Sequence, residues 1–296
     1  MSIDRIAIIG AGDMGHRVGR ALHDSGIDVI TCLAGRSART RGLAEAAGMR
    51  DVPDMAALVD AADLILSIVP PAVAADIGNR IAATMDKTDA RPPFADCNAV
   101  SPQTAQTIAG TIGNAGATFI DAGIVGLGPG GAAPTRFYVS GPDTTAMDVL
   151  DGKGMLVKKL GPEIGRASAL KMCYAGLNKG RFSLFTAVMV AAEALGLSAE
   201  LRDELEFSQK ETLAAIERLL PRLPADAARW APEMDEIAAT FAAVGVTPNF
   251  HKGAGDVLRL LATTPFAAET RETIDPNRGL DESVRVYAAH LPKREV

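Results

Sequence analysis

Along the first half of the chain, short runs of consecutive apolar residues alternate with segments whose apolar positions recur every three or four residues. The runs are Ile6–Ile9, Ile27–Cys32, Asp63–Val69, Phe94–Asn98 and Thr118–Ala122, and Arg136–Gly141 and Met155–Lys159 follow as the last two. Nearly unbroken apolar runs of this length suit strands covered on both faces. Between them, Ser37–Gly48 and about Ala72–Met85 read as helices, and Ser101-Pro102 opens another as N-cap and first-turn proline. Strands alternating with helices predict an α/β, Rossmann-type, doubly wound parallel sheet. After Gly161 the pattern changes. Glu163–Leu195 contains no proline and is apolar around much of its circumference, so it reads as one helix of about 30 residues, roughly 45–50 Å long. Helical stretches over about Ala199–Leu220, Asp226–Val244, Ala254–Ala262 and Leu280–His290 follow, punctuated by Pro221, Pro224, Pro248 and Pro265. The expected organisation is a dinucleotide-binding domain over 1–161 and an all-helical substrate and dimerisation domain over 162–296.

Composition narrows the partners. The chain has 296 residues, 48% of them hydrophobic and 22% charged, with a net charge of −6. That is a globular composition able to bury a large core, and it argues against bulk attraction to nucleic acid or an anionic membrane. Cys32, Cys97 and Cys173 are far apart and lack metal-ligand spacing, so buried, reduced thiols and no metal are expected. With no signal pattern and no apolar stretch long enough to span a bilayer, a cytoplasmic location fits. The apolar helices of the second half imply a homodimer.

Chemistry begins at the first turn. Gly10-Ala-Gly-Asp-Met-Gly15 stands between the first strand and a helical segment, the context that makes a glycine triplet a dinucleotide-binding fingerprint. Gly10 suits the tight turn, Gly12 lets backbone approach a pyrophosphate, and Gly15 lets the helix pack closely, while the helix N-terminus offers unpaired N–H groups. At the end of the second strand, where NAD-preferring units carry an acidic residue, this chain has Arg36 and Ser37, with Arg39 and Arg41 close behind. A guanidinium binds a phosphate bidentately, so NADP(H) is favoured over NAD(H); the bland alternative is a solvated helix start. Lys171 lies inside the apolar long helix among small residues, with Asn178 two turns on along nearly the same face. A lysine so placed serves either as a proton-transfer group or as the partner of an acidic residue at the domain junction.

Taken together these residues resemble the β-hydroxyacid dehydrogenase family, which includes 3-hydroxyisobutyrate and 6-phosphogluconate dehydrogenases, over nearly the whole domain order. The Met14-Gly15 ending of the turn is typical of it, Val69-Pro70 resembles its cofactor-contacting segment, and Asp96 with Pro102 fits another motif in which Asn98 and Ala99 replace a Ser-Thr pair. The resemblance implies cofactor contacts from Gly10, Gly12, Asp13, Met14, Gly15, Val69, Pro70 and Asn98. Gly165 precedes Lys171 at the family spacing, which makes Lys171 resemble the catalytic lysine. Asp121-Ala122 and the following glycines resemble the substrate-binding loop, implying substrate contacts from Gly123, Ile124, Val125 and Gly126.

The departures matter. Gly123 and Val125 stand where the family has proline and serine, which points away from an ordinary small hydroxy acid. The family's asparagine four residues after its lysine is Ala175 here, so Asn178 is the candidate replacement. His251, beside Lys252, is a cleft candidate, with a surface turn as the alternative. The second half resembles a divergent branch similar to the NAD-binding part of 6-phosphogluconate dehydrogenase. His16, Tyr174 and Cys173 have weaker claims, and Trp230 and Phe241 are expected in the core. The resulting expectation is hydride exchange between a nicotinamide and an alcohol or carbonyl substrate, with Lys171 as general acid/base. Two rivals are an imine reductase, in which Asp or Tyr usually stands at the Lys171 position, and a non-catalytic NADP-sensing protein.

Overall fold

The computed structural model describes residues 3–131 and 133–292. The chain forms two compact units that divide between Met172 and Cys173.

The first unit runs β1 (Arg5–Ile9), α1 (Gly15–Asp24), β2 (Asp28–Thr31), α2 (Ala38–Ala46), β3 (Arg50–Asp51), α3 (Met55–Ala61), β4 (Leu64–Ser67), α4 (Ala74–Met85), β5 (Phe94–Asp96), α5 (Pro102–Asn114), β6 (Phe119–Val125), β7 (Thr135–Ser140), β8 (Met155–Lys159) and the start of α6 (Arg166–Ala194). The short β3 and α3 were not legible in the apolar pattern; β3 is exposed and only Leu58 and Val59 of α3 are buried. Alternation explains the layers. Ile6, Ile8, Leu64 and Leu66 face a core with Val18 and Leu22 of α1, while Ala7, Ile9 and Ile65 face one with Ile77 and Ile81 of α4 and Ile108 and Ile112 of α5. Strands buried on both faces need apolar residues at both parities, hence the unbroken runs.

The sheet order is β3-β2-β1-β4-β5-β6-β7-β8. The order reverses between β1 and β4, and in open α/β sheets ligands bind outside the carboxyl ends of the strands at such a switch point. Pairing Ile9 with Ser67 brings Gly10 beside the Ile68–Pro70 segment. One expectation is corrected: β6 and β7 are antiparallel, so the sheet is not wholly parallel. The short glycine-rich connection from Val125 to Thr135 permits a hairpin, whereas a parallel crossover needs a dozen or more residues.

The second unit contains the rest of α6 with α7 (Ser198–Ser208), α8 (Lys210–Leu219), α9 (Pro224–Ala243), α10 (Asn249–Ala262) and α11 (Leu280–Ala289). The single helix expected over Ala199–Leu220 is two: Gln209 leaves helical dihedrals at φ −143°, ψ 49°, and the Ser208 hydroxyl turns back to the Glu204 carbonyl. α10 starts at Asn249, earlier than the expected Ala254. Pro232 sits inside α9, unanticipated as a helical proline. No helix among the described residues is long and apolar enough to cross a membrane. The cysteines also differ from expectation, since Cys97 is buried but Cys32 is partly and Cys173 well exposed.

Candidate active site

The glycine turn is built by three distinct constraints. Gly10 has φ +97°, and a Cβ there would lie 2.3 Å from the Ile68 carbonyl oxygen. A Cβ on Gly15 would lie 2.0 Å from the Gly10 carbonyl oxygen, so this glycine closes the turn on itself as well as seating the helix. A Cβ on Gly12 would meet nothing within 4 Å. The space over Gly12 is therefore open, as an approaching pyrophosphate requires. α1 has no side-chain cap on its N-terminus and no acidic residue in its first turn, which leaves its N–H groups and dipole available to an anion. His16 Nδ1 lies 2.7 Å from the Gly12 carbonyl oxygen and braces the turn. These residues fit a dinucleotide phosphate.

At the β2 end the four expected polar residues divide. Arg41 donates to the carbonyls of Leu33 at 2.6 Å and Arg36 at 3.3 Å. The Ser37 hydroxyl accepts from Thr40 N–H and caps α2. Arg36 is exposed. Arg39 pairs with Asp13 at 2.7 Å. On the other side of the switch point, Val69 N–H donates to Asn98 Oδ1 at 2.6 Å, and Asn98 Nδ2 donates to Ser67 Oγ at 3.0 Å. Asn98 thus fastens the ends of β4 and β5 and orders Val69, with Pro70 exposed beside it. Its amide is engaged with protein, which the sequence did not reveal. Burial, with the nearby Asp96 and Asp121 charges, pushes the Cys97 thiol well above the ordinary range.

Lys171 is positioned by an anchor that the sequence reading missed. Asp121, fully buried in β6, accepts from the N–H groups of Gly165, Ala167 and Ser168 at 2.9–3.1 Å. The Ser140 and Ser168 hydroxyls add donors at 2.9 and 2.6 Å. A carboxylate at a helix N-terminus satisfies orphan donors and complements the dipole. This binds the first turn of α6 to the sheet. Gly165, at φ +103°, turns the chain into the helix. One turn on, Lys171 Nζ donates to the Ile124 carbonyl.

Gly123, Ile124 and Val125 are therefore not loop residues as expected. β6 extends through Val125, pairing Gly123 with Tyr138, Ile124 with Phe137 and Val125 with Arg136; the loop begins at Gly126, φ +124°. A Cβ on Gly123 would lie 2.9 Å from the Ala167 carbonyl oxygen and 3.0 Å from Lys171 Cβ. The glycine standing in place of the family proline lets α6 press its lysine against the strand.

In the second unit, Asn178 donates its amide to the Tyr174 carbonyl at 3.1 Å. His251 stands in a helix rather than in a surface turn. It lies 5% exposed in the first turn of α10, edge-on to Phe241 and Phe250 at 4.3 and 5.2 Å. Gly176 and Gly180 of α6 make room for its ring. Its Nδ1 has no hydrogen-bond partner, and burial lowers its pKa. Nearby, Lys179 and Glu233 form a buried ion pair at 2.6 Å under Trp230, invisible to sequence spacing because its members come from different helices. No cluster of metal-ligating residues occurs among the described residues.

The doubly wound sheet with its switch-point glycines and open helix N-terminus is that of a nicotinamide-dinucleotide oxidoreductase of the hydroxyacid dehydrogenase fold. Residues 5–152 match the model of the "NAD binding domain of 6-phosphogluconate dehydrogenase", and the chain belongs to that family. Residues 192–261 match a "Domain of unknown function (DUF1932)". A curated relative, the "Uncharacterized 28.5 kDa protein in 7S RNA 5'region" of Methanothermus fervidus, is 28% identical over 205 residues, 69% of this chain and 77% of that protein. Among solved structures, 3-hydroxyisobutyrate dehydrogenase of Mycobacterium tuberculosis with L-serine superposes with a TM-score of 0.65 at 21% identity, covering 92% of this chain and 98% of that one. A reductive aminase from Aspergillus terreus in complex with NADPH and ethyl levulinate gives 0.55 at 17%, covering 88% and 93%.

Proposed function

We propose that the protein is an NADP(H)-dependent dehydrogenase that exchanges a hydride with a hydroxy acid or a related alcohol or carbonyl compound, using Lys171 as general acid/base. The observation that carries the reading is the lysine itself, held on the Ile124 carbonyl by a helix anchored through Asp121. When bound, the nicotinamide supplies hydride transfer. Gly10, Gly12, Asp13, Met14 and Gly15 with the N-terminus of α1 would hold its pyrophosphate, Arg36 and Ser37 its adenosine end, and Val69, Pro70 and Asn98 would contact it from the other side of the switch point. Bound oxidised nicotinamide would accept the carbinol hydride, and the reduced form would return it; Lys171 Nζ, unprotonated, takes the hydroxyl proton in oxidation, and its ammonium gives that proton back to the carbonyl oxygen in reduction. The backbone from Gly123 to Gly126 borders the substrate, and Asn178 orients the lysine or the substrate oxygen.

The similarity to a reductive aminase favours imine reduction as a second reading. Lysine at position 171 favours alcohol chemistry over it, and a third reading, an NADP sensor, predicts binding without turnover. A panel of hydroxy acids, keto acids and cyclic imines with both cofactors separates the three. General acid/base catalysis contributes about 10²–10⁴-fold, so Lys171→Ala is expected to lower kcat by that factor with NADPH affinity within about twofold. Near-wild-type turnover overturns the assignment.

The protein is further proposed to act as a homodimer in the cytoplasm. Tyr174, Leu177, Leu184 and Val188 form an exposed apolar stripe along α6, continued by Leu195 just past its end, which supports the self-association.

A further inference from the structure

We propose that the Asp13–Arg39 ion pair is a latch on the adenosine end of the dinucleotide groove, in which Asp13 competes with the cofactor's 2′-phosphate for the Arg39 guanidinium and thereby limits the preference for NADP(H). The inference rests on the dinucleotide reading above. Asp13 stands in the glycine turn after β1 and Arg39 in the first turn of α2. Their 2.7 Å contact therefore crosses from one turn to the other. In doubly wound sheets these two turns flank the adenosine ribose.

Among the groups at this turn, Arg39 is held in an exposed ion pair that a phosphate can exchange. Arg41 is fastened to the Leu33 and Arg36 carbonyls, and Ser37 caps α2. Arg36 is exposed and needs no release. The Asp13 and Arg39 side chains are 35% and 40% exposed, so a ligand in the groove reaches both. Ion pairs of such exposure are weak. A phosphate dianion carries more charge than a carboxylate and takes a guanidinium bidentately, so it draws Arg39 away. Asp13 then loses this guanidinium, and its negative charge opposes the phosphate. With NAD(H) the same carboxylate can accept from the ribose 2′-hydroxyl, a role usually filled from the end of β2, where this chain has no acid. The latch thus acts on the ratio of the two affinities.

Equilibrium binding of NADPH, NADH, 2′,5′-ADP and 5′-ADP to wild type, Asp13→Asn, Asp13→Ser, Arg39→Gln and Arg36→Ala tests it without any substrate. Removing one charge near the phosphate is expected to tighten NADPH and 2′,5′-ADP by about five- to tenfold in both Asp13 variants, with 5′-ADP and NADH, which share a free 2′-hydroxyl, equal or weaker. Arg39→Gln is expected to weaken the phosphorylated ligands about tenfold and the others little. An unchanged NADPH/NADH affinity ratio in the Asp13 variants, or in Arg39→Gln, overturns the latch. A wild type that prefers NADH and is indifferent to Arg36→Ala overturns the NADP reading instead; even then the Asp13 variants must move the ratio toward NADPH for the latch to stand.

Discussion

Gly123 shows how much one missing side chain controls. A methyl group there would sit 3.0 Å from Lys171 Cβ and 2.9 Å from the Ala167 carbonyl oxygen, and backbone cannot yield as a flexible side chain would. Gly123→Ala is expected to push the lysine off its strand and lower kcat by about 10–100-fold, the usual cost of misplacing a catalytic group by about an ångström. Dinucleotide affinity should stay within about twofold, because Gly10–Gly15 is untouched. Steady-state kinetics beside NADPH titration reads this, and unchanged kcat rejects it. His251 gives a prediction of another kind. Burial among Phe241, Phe250 and the α6 glycines lowers its pKa, so the folded state holds it neutral. Between the folded and unfolded pKa values the unfolded chain binds more protons, and stability falls as pH drops below the ordinary histidine value of about 6.5. Above that value the contribution is fully present. The melting temperature should therefore fall between pH 7.5 and pH 5.5, and His251→Leu should remove most of that slope. An equal slope in the variant excludes His251 as its source.

At the scale of elements, α6 depends on β6 through Asp121. Asp121→Asn keeps the shape and most acceptors but removes the charge that faces three N–H groups and the helix dipole. Charge-assisted bonds are about twice as strong as neutral ones, so a loss of about 1–3 kcal/mol is expected, with a kcat decrease because Lys171 sits one turn further on. Ser168→Ala, which deletes one neutral donor, should cost less in both urea unfolding and turnover; equal costs would argue against the charge. None of this was legible beforehand, although the elements themselves largely were. Ile6–Ile9 and Asp63–Val69 betrayed strands because both faces of the sheet are covered, and the proline-free run to Leu195 betrayed α6. The exposed two-residue β3 carries no such periodic signal. Nor did Gly123–Val125, since a strand continuing through glycine reads as a loop. The site divides the same way. The glycine turn and Lys171 can be proposed from their sequence neighbours alone, whereas Asp121 with Gly165–Ser168, Asn98 with Val69, and Asp13 with Arg39 join positions that only the fold brings together.

For the whole molecule, the surface of the second unit matters most. Leu177 and Leu195 are each 70% exposed, and Tyr174, Leu184 and Val188 lie between 42% and 49%. Their numbers advance by three, seven, four and seven, which places them on one stripe along α6 that Leu195 continues just past its end, with Arg181 filling the gap. An exposed stripe of this kind, apolar but for Arg181, fits an interaction surface, and a second copy of the same helix can meet it about a two-fold axis. The chain's net charge of −6 gives two copies a mutual repulsion that an apolar seam must overcome. Light scattering behind size exclusion should therefore give the wild type twice the chain mass. Leu177→Glu with Leu184→Glu places like charges in the seam and should yield monomers. Because both side chains are exposed, the variant's far-UV spectrum should match wild type, which separates lost association from lost fold. A monomeric wild type, or a dimer that survives the double substitution, moves the self-association to another face or removes it.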